Sequence, residues 1–182
     1  LRIGFFNDDG YSTPHPAIRR AVDEAAAALQ AAGAEVEEIS PPNVEQAMRL
    51  YFGIMGADGA ADLRNLAEGS ELDARVASFL RIGGVSRWWR GAMAAGLRSR
   101  GHPQRADLVA AAGPRKAHEY WQLTYELKQF VYDYLADLAH RRIDAWICPP
   151  HALPAFGHGE GKPPLLISAS YAFMMNVLGV PC

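Results

Sequence analysis

Cysteine, lysine and long apolar runs are what this sequence has least of. Its two cysteines, Cys148 and Cys182, are too few and too far apart for a disulfide framework, which favours reduced thiols and a reducing compartment. No stretch approaches the roughly 20 consecutive apolar residues needed to cross a bilayer, and nothing resembles a secretory leader. The expected location is cytoplasmic or peripheral to a membrane. Charge of either sign is also scarce in excess: 18 basic and 20 acidic residues leave a net charge of -2, so nothing in the balance selects a nucleic acid partner.

Several catalytic signatures are missing as well. There is no G-x-S-x-G elbow, Gly83-Gly84-Val85-Ser86 being the nearest approach, and no G-x-G-x-x-G after the first apolar run. GHGEGKPP (157–164) fails as a phosphate loop because Phe156 stands where a glycine belongs and Pro163 where a magnesium-binding hydroxyl should be. Lys116, Lys128 and Lys162 are the only lysines, and none has a recognisable catalytic setting. His118 and His140 lie about six turns apart on one expected helix, too far to share a ligand. Cys148-Pro149-Pro150-His151 could pair a thiol with an imidazole, but two prolines at a strand end read as a rigid exit, and no second metal pair accompanies them. Neither a metal nor another cofactor is expected.

What is present reads as a globular α/β chain, with 49% hydrophobic and 21% charged residues in 182. LRIGFF (1–6) is a short buried strand ended by NDDG (7–10). Asp8 and Asp9 stand where α/β folds place functional carboxylates, although Asp-Gly after a strand is also ordinary turn chemistry. Residues 11–33 supply a helix, with Ser12 or Thr13 as cap, Pro14 or Pro16 in its first turn and Gly33 beyond its end. Ile18, Val22, Ala25 and Leu29 form its inner face. AEVEEIS (34–40) follows as a half-exposed strand, completing a right-handed βαβ unit over 1–42. Residues 43–115 read as a helical, cap-like region. The last third, 116–182, holds a long helix (116–140), a strand in RIDAWICPP (142–150), a Gly- and Pro-rich loop, and a terminal helix (168–179) begun by Ser168 and ended by Gly179. The fold expected is a few-stranded mixed sheet flanked by helices, with a helical hairpin inserted.

That hairpin, 76–105, interleaves Phe79, Leu80, Trp88, Trp89 and Met93 with Arg81, Arg87, Arg90, Arg98, Arg100 and Arg105, and no acid falls between Asp73 and Asp107. Two helices broken at Gly83-Gly84 suit an interfacial membrane contact or the mouth of an apolar channel. They equally suit a peripheral hairpin with a solvated basic face, and the pattern leaves both readings open.

NDDGYSTPHPAIRRAV, GIMGADGAADLRNL (53–66), EYWQL (119–123), RIDAWICPP and SASYAFMMNVLGVP, in that order, resemble the part of amidase signature enzymes that follows their catalytic core, closest to the fatty acid amide hydrolase-like branch. The resemblance implies an amide-hydrolysing serine enzyme with a Ser–cis-Ser–Lys triad, none of whose members maps onto these residues, so this segment by itself is expected to be inactive. It further implies acyl-chain contacts at Met55, Phe79 and Leu80, a membrane or channel-mouth role for Arg87, Trp88, Trp89 and Arg90, and a small acyl amide as substrate. On this reading NVLGVPC leads into a core strand, the chain is part of a longer one, and its exposed sheet edges favour homo-oligomers. A non-catalytic module docking on membrane or protein through the Trp/Arg hairpin is the competing expectation.

Overall fold

The computed structural model describes residues 1–158, 160 and 165–181 and divides into two compact units, 1–47 with 129–182 and 48–128. The phosphate-loop comparison at Gly161–Pro163 and the thiol of Cys182 lie outside the described residues.

The first unit is built on β1 (Arg2–Phe5), α1 (Pro16–Ala31) and β2 (Glu35–Glu38), the expected βαβ element. A third strand, β3 (Ala145–Ile147), takes the other side of β1, giving the order β2-β1-β3. Both pairings are parallel, so the described part of the expected mixed sheet is wholly parallel. Gly4 is required at its centre: a Cβ there would stand 2.7 Å from Cδ1 of Ile39, the buried residue that follows β2 and lies against β1. Helix α1 buries Val22 and Ala26, four residues apart on one face, whereas Ala25 is exposed. Its cap is His15, whose Nδ1 accepts the N–H of Ala17, with Pro16 filling the first helical position; Ser12 and Thr13 lie too early for the role. Gly33 follows the helix at φ 92°, as a left-handed stop requires.

In the second unit, α3 (Ala61–Leu66), α4 (Ala74–Gly83), α5 (Arg87–Ser99) and α6 (Pro103–Ala111) fill the expected helical region, flanked by α2 (Val44–Met55) and α7 (Ala117–His140), which each begin in one unit and end in the other. The chain breaks at Gly84–Ser86 as the sequence suggests, but the tight hairpin is α5 against α6, through the buried alanines 94, 106 and 111. Small side chains allow that close approach. Behind it, Gly56 and Gly113 meet backbone to backbone, a Cβ on Gly56 falling 2.8 Å from the Gly113 nitrogen. Gly113, at φ 105°, also lies directly under the Arg90 guanidinium, so no larger residue fits.

Helix α7 is the longest, 24 residues or about 36 Å. Leu123, Phe130 and Leu138 are buried along one stripe, while Trp121, Tyr125 and Tyr132 are exposed on the opposite side. Near its end, Tyr134 meets Trp146 of β3 edge to face at 6.4 Å and reaches the Ser40 carbonyl. The terminal helix is shorter than expected: α8 (Leu165–Ser168) precedes α9 (Ser170–Leu178), so Ser168 ends one turn instead of capping the helix. Gly179 closes α9 at φ 65° as its position predicted.

Burial, then the neighbouring Cys148 and Asp137, push the Tyr134 phenol up to about 12, with Arg141 opposing. A raised folded value means that its contribution to stability is complete below the ordinary tyrosine range near 10 and is lost as pH rises towards about 12. Melting temperature followed from pH 9 upward should therefore fall less steeply for Tyr134→Phe than for the parent; identical slopes would remove Tyr134 as the cause.

Candidate functional site at the carboxyl ends of β1 and β3

In a parallel sheet, the loops leaving the carboxyl ends of neighbouring strands diverge where the strand order reverses, and ligand sites gather there. Here that point lies between β1 and β3. Three segments converge on it: Asn7–Pro14 after β1, Pro149–Phe156 after β3, and the junction of α8 with α9.

Asp9 is the hub. It is buried, its Oδ1 accepts the N–H groups of Tyr11 and Ser12, both at 2.8 Å, and its Oδ2 accepts the Ser170 hydroxyl at 2.5 Å. Charge-assisted bonds of this kind are the stronger class. The next side chain, Tyr171, accepts the N–H of Asp9 and donates to the Ser12 carbonyl, each at 3.0 Å. Burial foremost raises the Tyr171 phenol, as does the Asp9 charge. Asp8 plays the outer part, accepting the Gly10 N–H and pairing with Arg19 of α1. The turn and the functional readings of Asp8-Asp9 thus resolve into one arrangement: turn-forming carboxylates, one of which tethers the first turn of α9.

The second tether comes from the strand-end prolines. Pro149 is buried and Ala152 is 1% exposed; Ala152 donates to the Ser168 carbonyl at 2.9 Å and accepts from the His15 N–H at 2.7 Å. His151 turns away from the Cys148 pairing considered for the sequence. Its Nδ1 stands 3.0 Å from both the N–H and the carbonyl oxygen of Leu153, and its Nε2 lies 3.2 Å from the Ser168 hydroxyl oxygen, so the tautomer sets which of the two donates. Ser170 is fully buried. The cluster ties the three loops to one another. Among the described residues, no group of His, Cys, Asp and Glu is arranged to hold a metal ion.

The residues that the resemblance assigns to the acyl chain and the channel mouth all lie in the second unit. Met55 ends α2 with 61% of its surface exposed, whereas Leu80 is buried within α4; the Phe79 side chain lies outside the described residues. Trp88 and Trp89 stand edge to face at 4.6 Å and are 71% and 59% exposed. Arg87 pairs with Glu119 of α7 at 3.1 Å, and that carboxyl is held below its usual range by the Lys116 N–H and then by Arg87 and Arg115. Arg90 differs from its neighbours: it is 2% exposed and donates to the Val85 carbonyl, closing the α4–α5 turn. Desolvation lowers its pKa, with Arg115 and Arg87 adding to the effect. The Asp9–Ser170–Tyr171 and His151–Ser168 connections were not read from the sequence. Their signals, a Ser-Tyr pair opening an apolar helix and a histidine after a proline pair, gain meaning only when separations of 161 residues for Asp9–Ser170 and 17 for His151–Ser168 are closed.

The Amidase family model matches residues 1–182, and the chain belongs to that family. It is similar to "Fatty-acid amide hydrolase 1" of Sus scrofa, 29% identical over 183 residues covering 100% of this chain and 31% of that protein. It is also similar to "Fatty acid amide hydrolase 1" of Caenorhabditis elegans, 26% identical over 178 residues, or 98% of this chain and 31% of that one. "Acetamidase" of Emericella nidulans is 39% identical over 72 residues, 39% of this chain and 13% of the relative. The chain spans about a third of the length of the first two relatives. A solved structure titled "Fatty acid amide hydrolase" superposes with a TM-score of 0.69 at 21% identity, covering 98% of this chain and 26% of that one. The resemblance read from the ordered motifs is borne out.

Removing the hub should have a measurable cost. Asp9→Ala strands the Ser170 hydroxyl and two backbone N–H groups, so urea unfolding should show a loss of roughly 2–4 kcal/mol. A loss below about 0.5 kcal/mol, the range of ordinary surface changes, would mean that the loops are held elsewhere.

Proposed function

We propose that these residues form part of a longer enzyme that hydrolyses the carbon–nitrogen bond of lipophilic acyl amides, with a serine nucleophile, a bridging serine and a lysine base outside this segment. The observation that carries the proposal is the similarity of the whole chain, end to end, to fatty acid amide hydrolases. In this reading the segment is inactive by itself. The burial of Ser168 and Ser170 supports that, since neither hydroxyl is open to solvent in these residues. Its contribution is architectural and on the substrate side: Met55, Phe79 and Leu80 contact the acyl chain, and Arg87, Trp88, Trp89 and Arg90 belong to the channel mouth or a peripheral membrane contact. The exposed thioether of Met55 and the exposed indoles support the outer part of that assignment.

The test is intact-mass spectrometry after treatment with a fluorophosphonate, on the 182-residue chain and on the full-length gene product. One serine adduct on the long form and none on the short one is expected. An adduct on the short chain would overturn the assignment of the nucleophile, and an unlabelled long form would overturn the serine mechanism.

A second reading, a non-catalytic module that docks through the hairpin, is favoured by one observation, the adjacent Trp88 and Trp89 held outward on α5. Interfacial tryptophans gain by burying the ring while the N–H stays near water. Co-sedimentation with liposomes should then weaken several-fold for Trp88→Ala/Trp89→Ala. Unchanged partitioning, or none by the parent, would dismiss membrane docking.

A further inference from the structure

Helix α5 begins with nothing negative at its N-terminus. Its Ser86 cap makes no side-chain bond to the first turn, and that turn contains no acid. The first N–H groups of a helix have no partner within it and carry the positive end of its dipole. Arg90, one turn into the helix, adds a full charge to this end. Its side chain is 2% exposed, and its Nη1 donates to the carbonyl of Val85, the residue before the cap, so the guanidinium turns back beneath the turn. Its Nε is buried without a hydrogen-bond partner, and the same is true of Arg115, the charge that acts on it most strongly. Among the described residues, neither guanidinium forms an ion pair: Arg115 donates to the Ala111 carbonyl, and the acid nearby, Glu119, is taken by Arg87 at 3.1 Å.

We infer that the first turn of α5, with Arg90 and Arg115, is a binding site for a phosphate group, either free in solution or carried by a lipid. A charge taken out of water is costly unless an opposite charge meets it, and a second cation close by raises the cost. Two unanswered guanidiniums and a row of helix N–H donors ask for an anion with more than one charge and several oxygens. Phosphate supplies both, and the planar guanidinium fork matches its oxygens. Arg90 is closed in by residues of this chain, so the unanswered charge does not arise from a bare face. The inference does not rest on the proposed hydrolysis.

Calorimetric titration of inorganic phosphate into the full-length protein tests it, with ionic strength held constant by sodium chloride. Saturable binding is expected. Arg90→Met should weaken it about tenfold or more, as the loss of a charge-assisted contact requires, whereas Arg20→Met, on an exposed face of α1, should leave it unchanged. Should Arg90→Met fail to fold, Ser86→Asp decides, because its carboxylate takes the same N–H groups: melting temperature should hold or rise while phosphate binding is lost. Glu119→Gln, which frees Arg87, should tighten binding several-fold, a gain that structural damage does not produce. No saturable binding by the parent, or binding indifferent to Ser86→Asp, would overturn the proposal. Vesicles separate the two sources. Displacement of phosphate by phosphatidylcholine vesicles containing phosphatidic acid, beyond that by pure phosphatidylcholine, assigns the group to a lipid; equal effects assign it to a soluble phosphate.

Discussion

The first unit depends on one four-residue strand. β1 is paired on both sides, and every other feature of that unit is fixed by what its residues permit: Gly4 lets Ile39 lie against the strand, and Ile3 and Phe6 supply core on either side of it. Immediately beyond the strand, Asp9 converts its end into an anchor for a helix 161 residues later. A parallel strand pair cannot be closed by a short turn, so its neighbours arrive from distant sequence and must be held by side-chain bonds at the strand ends. Asp9 and Tyr171 are those bonds. Because both bridge buried groups, the arrangement tolerates little substitution.

The elements legible in the sequence were those with strong local signals. The βαβ unit showed itself through an apolar run, a helical face and a proline pair, and the long helix through its periodic stripe. Gly33 and Gly179 marked helix ends because a left-handed residue favours glycine at those points. What escaped was decided by competition or by distance. His15 displaced Ser12 and Thr13 as the cap because Pro16 can stand only in the first turn, which fixes the cap one residue before it. Ser168 looked like a cap and is instead the last residue of a short helix, since the α8–α9 break is set by Asp9 taking hold of Ser170. The candidate site stayed hidden for the same reason. Its members are individually common residues, and only the topology of a parallel sheet brings them together.

The arginine-rich region shows how composition and structure part company. Counted along the chain, it is a basic stretch with no acid; folded, much of that charge is already engaged. Arg98 pairs with Asp107, Arg87 with Glu119, and Arg90 is buried against Gly113 and the Val85 carbonyl. The acids come from outside the stretch that looked unopposed. Surface pairs of this sort contribute little to stability and are screened by salt, yet they reduce the field available to attract an anionic surface. Outward on α5, Trp88, Trp89 and Met93 stand exposed beside Arg87 and Arg98, whose charges are already paired. Apolar burial against Trp88, Trp89 and Met93 is therefore what this face offers most freely, while Arg90 sets the packing behind it. That division explains why Arg90, although it stands beside the two tryptophans in sequence, belongs to the interior: a guanidinium one residue further around the helix than Trp89 points to the glycine-lined turn, where its stem fills space that no smaller side chain would reach.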